Sequence, residues 1–210
     1  MYELDSVEPG TSVDPGTNVL ITGPPMTGKR RVALDVLAEG ADAGEGSIVV
    51  STKDGAEKIL SEFGDRVSRD DVHVGVVDCV SKQQGVSNLT DDRRVKYASS
   101  PVDMTKIGVN LSEFIEEFHE TRGIENNRIL LHSVSTILMY SDLQTVFRFL
   151  HVFTGRVQSA EALGMYVIDS TAHDDQTMNT LKQLFDAVVE VDTDDDGETT
   201  VRTRGLTAAE

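Results

Sequence analysis

Hydrophobic and polar positions alternate between two regimes along this chain. TNVLIT (17–22), SIVVST (47–52), VHVGVVD (72–78), RILLHSV (128–134), MYVIDST (165–171) and AVVEVD (187–192) are short, nearly continuous apolar runs, as expected of strands buried on both faces. Between them apolar residues recur at helical spacing. RRVALDVLAEG (30–40) sets Val32, Leu34, Val36 and Leu37 near one side, with Gly40 as a stop. GAEKILSEFG (55–64) turns Ile59, Leu60 and Phe63 inward, and Asp54 stands where it can cap that helix. LSEFIEEFHETRG (111–123) is amphipathic and ends at Gly123, and MNTLKQLF (178–185) is a further helix. SDLQTVFRFLHVFTGRVQSAEALG (141–164) reads as one long helix capped by Ser141 or Asp142. Residues 79–109 are polar with few periodic apolar positions, which predicts a long irregular loop, functional or mobile. TDDDGETTVRTRG (193–205) predicts a hairpin turning at Asp195-Asp196-Gly197, its second arm alternating Thr200, Arg202 and Arg204 with Val201 and Thr203.

Buried strands separated by helices define the α/β class: a mostly parallel central sheet with helices on both faces, the hairpin adding an antiparallel edge at the C-terminal end. No linker or repeat divides the pattern. It predicts one domain over 17–206, flanked by an N-terminal tail, 1–16, and a C-terminal tail, 207–210.

Composition narrows the setting. No run approaches the 18 or so apolar residues of a membrane span, and the opening MYELDSVEPG is acidic and turn-rich, unlike a signal peptide. Cys79 is the single cysteine, so neither an internal disulfide nor a cysteine-rich metal site is available. These features predict a cytoplasmic protein with no membrane partner. The 36 acidic residues outnumber the 19 basic ones, for a net charge of −17. Such a surface repels nucleic acid phosphates, so nucleic acid is not an expected partner. The acids are spread along the chain, which fits the salt-rich cytoplasm of a halophilic archaeon, where the Debye length falls to about 3 Å at 1 M.

The most specific stretch is ITGPPMTGKRR (21–31). Gly23-Pro24-Pro25-Met26-Thr27-Gly28-Lys29 matches the phosphate-binding pattern Gly-x4-Gly-Lys, and it lies between a buried strand and a helix, the context that motif needs. Successive N–H groups of such a loop form an anion nest, and the following helix points its positive end at the same place. Gly23 and Gly28 allow the tight path, and Lys29 is placed to reach the β- and γ-phosphates. The next residue, Arg30, stands where the motif calls for Ser or Thr.

With this loop the chain resembles the RecA superfamily, in particular its KaiC-like single-domain archaeal branch. Residues 23–30 are similar to that branch's Gly-x-Pro-Gly-Thr-Gly-Lys-Thr, and SSPVDMTKIGV (99–109) to its Ser-Pro-x-Asp-Leu-Thr segment. RILLHSVSTIL (128–138) sits where the family has its second acidic motif, and LFDAVVEVD (184–192) with VRTRGL (201–206) resemble its closing strands. The resemblance covers roughly residues 10–206 and implies a RecA-like P-loop fold that binds ATP, often in rings or filaments with nucleotide at subunit boundaries. On that reading Gly23, Pro24, Pro25, Met26, Thr27, Gly28, Lys29 and Arg30 are the nucleotide-binding residues.

The departures bear on chemistry. Arg30 replaces the hydroxyl that holds Mg²⁺ in the family, and His132 replaces the metal-holding Asp; neither offers a hard oxygen ligand. Met26 replaces a loop glycine and can crowd the phosphates. The family's water-activating Glu has Asp54 as its only nearby counterpart, so Asp54 is either a weak catalytic candidate or a helix cap. No metal ligand is expected. Phosphoryl transfer depends on charge stabilisation, and losing one good stabiliser commonly costs 10²–10³-fold in rate. The expectation is ATP binding with slow or no hydrolysis, in a regulatory or assembly subunit with a homo-oligomeric or protein partner. The alternatives are an ATPase seating its metal differently, through Asp54 or Asp169, and a scaffold that binds no nucleotide. Recombinase-like DNA binding is disfavoured by the charge.

Other side chains have two readings each. His132, His151 and His173 lie on different elements with no ligand-pair spacing, which favours single structural or surface histidines. Ser133 and Ser135 follow a strand as sensors or as turn residues. Asp169, Ser170 and His173 end the next strand at the sheet's carboxyl edge, where ligands bind in open α/β folds. Arg148 and Arg156 are arginine fingers or solvated surface.

Overall fold

The computed structural model describes residues 1–86, 89–194 and 196–208. Eight strands form one sheet: β3 (Asn18–Gly23), β4 (Gly46–Ser51), β5 (His73–Asp78), β6 (Val95–Tyr97), β7 (Asn127–His132), β8 (Leu163–Asp169), β9 (Ala187–Thr193) and β10 (Thr199–Arg204). Their order across the sheet is β10-β9-β3-β8-β7-β4-β5-β6. Every pairing is parallel except β10 against β9. The α/β class, the mostly parallel sheet and the C-terminal antiparallel hairpin are those the hydrophobic pattern predicts.

Helices cover both faces because the strands are apolar on both. α1 (Lys29–Asp42) and α2 (Ala56–Gly64) bury Val32, Leu34, Val36, Leu37, Ile59 and Phe63 on one face. The other face carries α3 (Met104–Glu116), α4 (Val134–Tyr140), α5 (Leu143–Ser159) and α6 (Asp175–Lys182). Phe114, Ile137, Leu150, Phe153 and Leu181 fill that second layer. Burying each side chain of this size contributes about 1.5–3 kcal/mol. Among the described residues, no helix is long and apolar enough to cross a membrane.

Several boundaries differ from the periodicity, each for a physical reason. Residues 1–16, expected as a tail, are folded. β1 (Tyr2–Glu3) and β11 (Thr207–Ala208) pair antiparallel with the two sides of β2 (Thr11–Val13) in a small second sheet, and Tyr2, Leu4 and Val13 join the α1 side of the core. The C-terminal residues 207–208, also expected as a tail, supply that third strand, and 209–210 lie outside the described residues. The stretch 79–109, expected as a loop, contains β6 and the start of α3; residues 87–88 within it lie outside the described residues. Asp103 caps α3 by accepting from Lys106 N–H at 3.1 Å, so the helix begins at Met104, ahead of the amphipathic pattern that becomes clear at Leu111. α3 then widens into a π-helical turn, Glu117–Thr121. α4 was not expected: Ser133 caps it immediately after β7. The long helix is shorter than 141–164 and is capped by Asp142, not Ser141. The hairpin pairs Thr193 with Thr199; of its expected turn, Asp195 lies outside the described residues.

Gly40 is not a helix stop either. α1 runs past it to Asp42, and a Cβ at Gly40 would come within 2.2 Å of Arg128 Nε. The glycine admits the Arg128 side chain, which is fully buried and gives Glu45 a hydrogen bond at 2.6 Å and the Val36 carbonyl another at 2.8 Å.

Tyr2 ties the small sheet to the large one. It is 0% exposed; its hydroxyl donates to the Glu161 carbonyl at 2.8 Å and accepts from Asn127 N–H at 3.1 Å. Tyr2→Phe strands both partners and is expected to cost about 1–3 kcal/mol, whereas Tyr2→Ala, which also leaves a cavity, costs about 3–5 kcal/mol. Chemical denaturation of the two variants checks the ranking, and a neutral Tyr2→Ala would mean that the N-terminal segment is not part of the cooperative unit.

Candidate functional site

The parallel strands all point the same way, so the carboxyl ends of β3, β8, β7 and β4 meet at one edge. β3 ends at Gly23, where a Cβ would lie 1.9 Å from the Val191 carbonyl oxygen; the close approach of β9 demands glycine there. The chain then loops through Pro24–Gly28 and enters α1. Gly28 (φ 90°) and Met26 (φ 65°) are both left-handed. For Met26 this costs about 1–2 kcal/mol relative to an ordinary conformation. Met26 is 99% exposed, at the rim of the neighbouring cavity. Thr27 Oγ1 donates to the Pro24 carbonyl at 3.0 Å, closing the loop on itself. Thr199 of β10 donates to the Thr27 carbonyl at 3.3 Å and braces the loop from outside. Among the described residues, the N–H groups of Met26, Thr27 and Gly28 have no protein acceptor.

Beside the loop is a cavity of about 360 Å³, lined by Pro25, Met26 and Gly28, the cations Lys29, Arg30 and Lys53, and by His132 and Asp169. Lys29 is 6% exposed. Its ammonium donates to the Pro24 carbonyl at 2.7 Å and pairs with Asp169 Oδ1 at 2.5 Å. Asp169 is brought there by register, because Gly23 and Asp169 are partners across β3 and β8. The Asp169 N–H donates to Ser135 Oγ at 2.9 Å, and the His173 Nε2 lies 2.9 Å from the same hydroxyl. Ser133 caps α4 and also lines the cavity, and Ser135 pins the end of β8.

Arg30 turns away from the loop toward α2, its Nη1 2.5 Å from Asp54 Oδ2 and its Nη2 2.6 Å from Glu62 Oε2. Lys58 approaches Asp54 Oδ1 at 2.7 Å. Burial raises the Asp54 carboxyl, but Lys58 and Arg30 outweigh it and hold the group below the usual range. A carboxylate clasped by two cations is a poor proton acceptor. Asp54 is not the cap of α2 either: Gly55 occupies that position, and the N–H of Ala56 donates to Asp78 Oδ2 at 2.8 Å. Asp78, buried at the end of β5, also accepts from Val80 N–H, Ser81 N–H and the Ser81 hydroxyl. The final Asp of VHVGVVD was the available signal for this role.

His132 ends β7 and is 5% exposed. Burial, reinforced by the Arg30 charge, pushes its imidazole down to about 4. It is neutral near pH 7, with Nδ1 unpartnered among the described residues. The donor set at the two positions to which the sequence resemblance assigns a divalent ion is thus a guanidinium held by carboxylates and a neutral imidazole. Neither fits Mg²⁺, which takes oxygen ligands in a near-octahedral shell. Among the described residues, no group of three or more His, Cys, Asp or Glu is arranged to hold a metal ion. His151 is exposed on α5, apart from the other two histidines. Arg156 donates to the Gly108 carbonyl at 2.6 Å and to Ser112 Oγ, tying α5 to α3, while Arg148 is exposed.

A larger cavity, about 690 Å³, opens elsewhere, between the end of α3 with its π-helical turn and the end of α5. Its lining includes Glu116, Glu120, Glu125 and Glu161. The smaller cavity is the better candidate because main-chain donors, a helix N-terminus and three cations converge on it.

A glycine loop at the switch from a buried strand to a helix, at the carboxyl edge of a sheet in this order, defines a RecA-type P-loop architecture. The chain is similar in fold to a KaiC-like protein from the hyperthermophilic archaeon Pyrococcus horikoshii OT3, with a TM-score of 0.60 and 14% identity over 93% of this chain and 82% of that one. It is also similar to an uncharacterized Pyrococcus horikoshii protein solved in complex with an unknown peptide, with a TM-score of 0.66 and 14% identity over 95% of this chain and 86% of the other. These likenesses show the fold, KaiC-like and of the RecA type. The chain itself belongs to a family of unknown function, DUF7504, whose profile matches residues 16–191. No curated protein matches it.

The buried imidazole makes a pH prediction. His132 titrates at about 4 when folded against 6.5 for the free side chain, so the unfolded chain binds the extra proton first. The stability this group contributes is complete above about pH 6.5 and falls as pH drops toward 4, by about 3 kcal/mol in all. Denaturation curves of the parent and His132→Gln should converge across that window. Parallel curves would show that His132 is not held neutral.

Proposed function

We propose that this chain is an ATP-binding, RecA/KaiC-like subunit with slow or no hydrolysis, acting through nucleotide-dependent regulation or assembly rather than turnover. The observation that carries the reading is the loop itself. Residues 26 and 28 are left-handed, and the N–H groups of Met26, Thr27 and Gly28, beside Lys29, have no protein acceptor among the described residues, while Arg30 and His132 stand at the positions where the resemblance places the metal-holding groups. Main-chain donors and a helix N-terminus do not depend on side-chain identity, so anion binding survives substitutions that remove the metal. Hydrolysis does depend on them, and Asp54, the counterpart that the sequence offers for a water-activating residue, is paired with Arg30 and Lys58. The partner beyond nucleotide is a second copy or another protein; net charge −17 disfavours nucleic acid.

One observation favours the scaffold alternative. Lys29 and Arg30 both already have carboxylate partners within the chain, which lowers the positive charge offered to a phosphate.

A ligand that binds only the folded state raises its melting temperature, by about 2.7 kcal/mol of stability at 100 times Kd. In multimolar KCl, suited to an acidic surface, ATP is expected to raise the melting temperature with or without Mg²⁺, and Lys29→Ala to abolish the shift. Unmoved melting with ATP, ADP and GTP favours the scaffold, and turnover of several per minute favours an ATPase with another metal seat.

A further inference from the structure

We infer that Asp169 is a built-in competitor of the phosphate for Lys29, and that its carboxylate sets how tightly the loop holds a polyphosphate. The inference rests on the nucleotide reading above and names what regulates that site.

Lys29 has three ammonium hydrogens, and two acceptors already claim it: Asp169 Oδ1 at 2.5 Å and the Pro24 carbonyl at 2.7 Å. Asp169 is not a mobile surface acid that happens to lie near. Its place is set by the β3–β8 register, which puts it opposite Gly23, and its N–H is anchored on Ser135, a hydroxyl shared with His173. Its side chain still reaches the cavity, being about a quarter exposed, 26%. A phosphate oxygen brought within hydrogen-bonding range of the Lys29 ammonium therefore shares that nitrogen with a carboxylate oxygen. Two anionic oxygens on one small cation repel strongly where water is scarce. Either Asp169 swings out, giving up a well-formed ion pair, or the phosphate is held without the lysine.

The neighbouring cations do not relieve this. Arg30 faces Asp54 and Glu62. Lys53 is exposed and, among the described residues, has no carboxylate partner. Asp54 and Glu62 are thus taken up by Arg30, and Asp169 alone of these three acids sits on the lysine that the loop presents. Removing the Asp169 charge should convert Lys29 from an internally neutralised group into a bare cation aimed at the ligand.

The test is calorimetric titration of the whole chain with sodium tripolyphosphate and with ATP, both without divalent ions, in multimolar KCl. Asp169→Asn keeps the shape of the side chain and removes its charge. It is expected to bind both ligands at least about tenfold more tightly than the parent, a gain of the size expected from one charge-assisted contact. The double variant Asp169→Asn/Lys29→Ala should lose that gain. In melting experiments the ligand-free Asp169→Asn should melt below the parent, its lysine lacking a counter-charge, and tripolyphosphate should raise it more than it raises the parent. Asp169→Ser serves the same purpose should the Asn variant fail to fold. Equal or weaker binding by the folded variant, with the parent binding normally, overturns the competitor role alone and makes Asp169 a supporting residue. No binding by either protein at millimolar ligand overturns the nucleotide reading and the competitor together.

Discussion

A parallel sheet covered on both faces leaves polar groups almost nowhere to go but the ends of its strands. That constraint organises this protein. β3, β4, β7 and β8 are buried along nearly their whole length, so any ionisable side chain within them must carry its own compensation. The chain gathers its polar chemistry at the carboxyl edge: the glycine loop after β3, Thr52 to Asp54 after β4, Asp78 at the end of β5, His132 at the end of β7 and Asp169 at the end of β8. The N-terminus of α1 opens onto the same edge, so a positive dipole end and main-chain donors face a cluster of charged side chains.

Within that cluster, charge is balanced internally. A buried ammonium or guanidinium costs several kcal/mol in lost hydration unless partners replace the water. Lys29 finds Asp169 and a carbonyl; Arg30 finds Asp54 and Glu62. His132 stays neutral because burial and Arg30 both oppose its protonation. The same rule operates at the opposite end of β7, where buried Arg128 is met by Glu45 and the Val36 carbonyl, and Gly40 is small so that the guanidinium can pass. Lys29 and Arg30 are thus each present together with the acid that offsets the charge, Lys29 with Asp169 and Arg30 with Asp54 and Glu62.

The class of fold was legible in the amino-acid order, because a strand buried on both faces must be apolar throughout and a covering helix must be apolar on one side. Those are local requirements, and six apolar runs with helical spacing between them met them visibly. The glycine loop was legible for the same reason: left-handed backbone at Gly28 and close approach at Gly23 are demands on single residues. Elements whose stability comes from elsewhere were not. β1, β2 and β11 are two or three residues long and exist because distant segments pair. β6 is three residues, held by β5. α4 and the first turns of α3 are set by caps, Ser133 and Asp103, ahead of any clear periodicity.

The site divides along the same line. The sequence alone determined which groups could be present: a glycine loop of the phosphate-binding pattern, a lysine and an arginine directly after it, and a histidine and an acid at the ends of two later strands. Only the tertiary structure decided what those groups do to one another. Asp169 lies 140 residues from Lys29 and meets it because two strands align in register; Asp54 forms an ion pair rather than a helix cap because Arg30 reaches across from α1, and Asp78 accepts from the first N–H of α2. Charge pairing acts through space over a few ångströms, and no spacing along the chain encodes a distance set by a strand order.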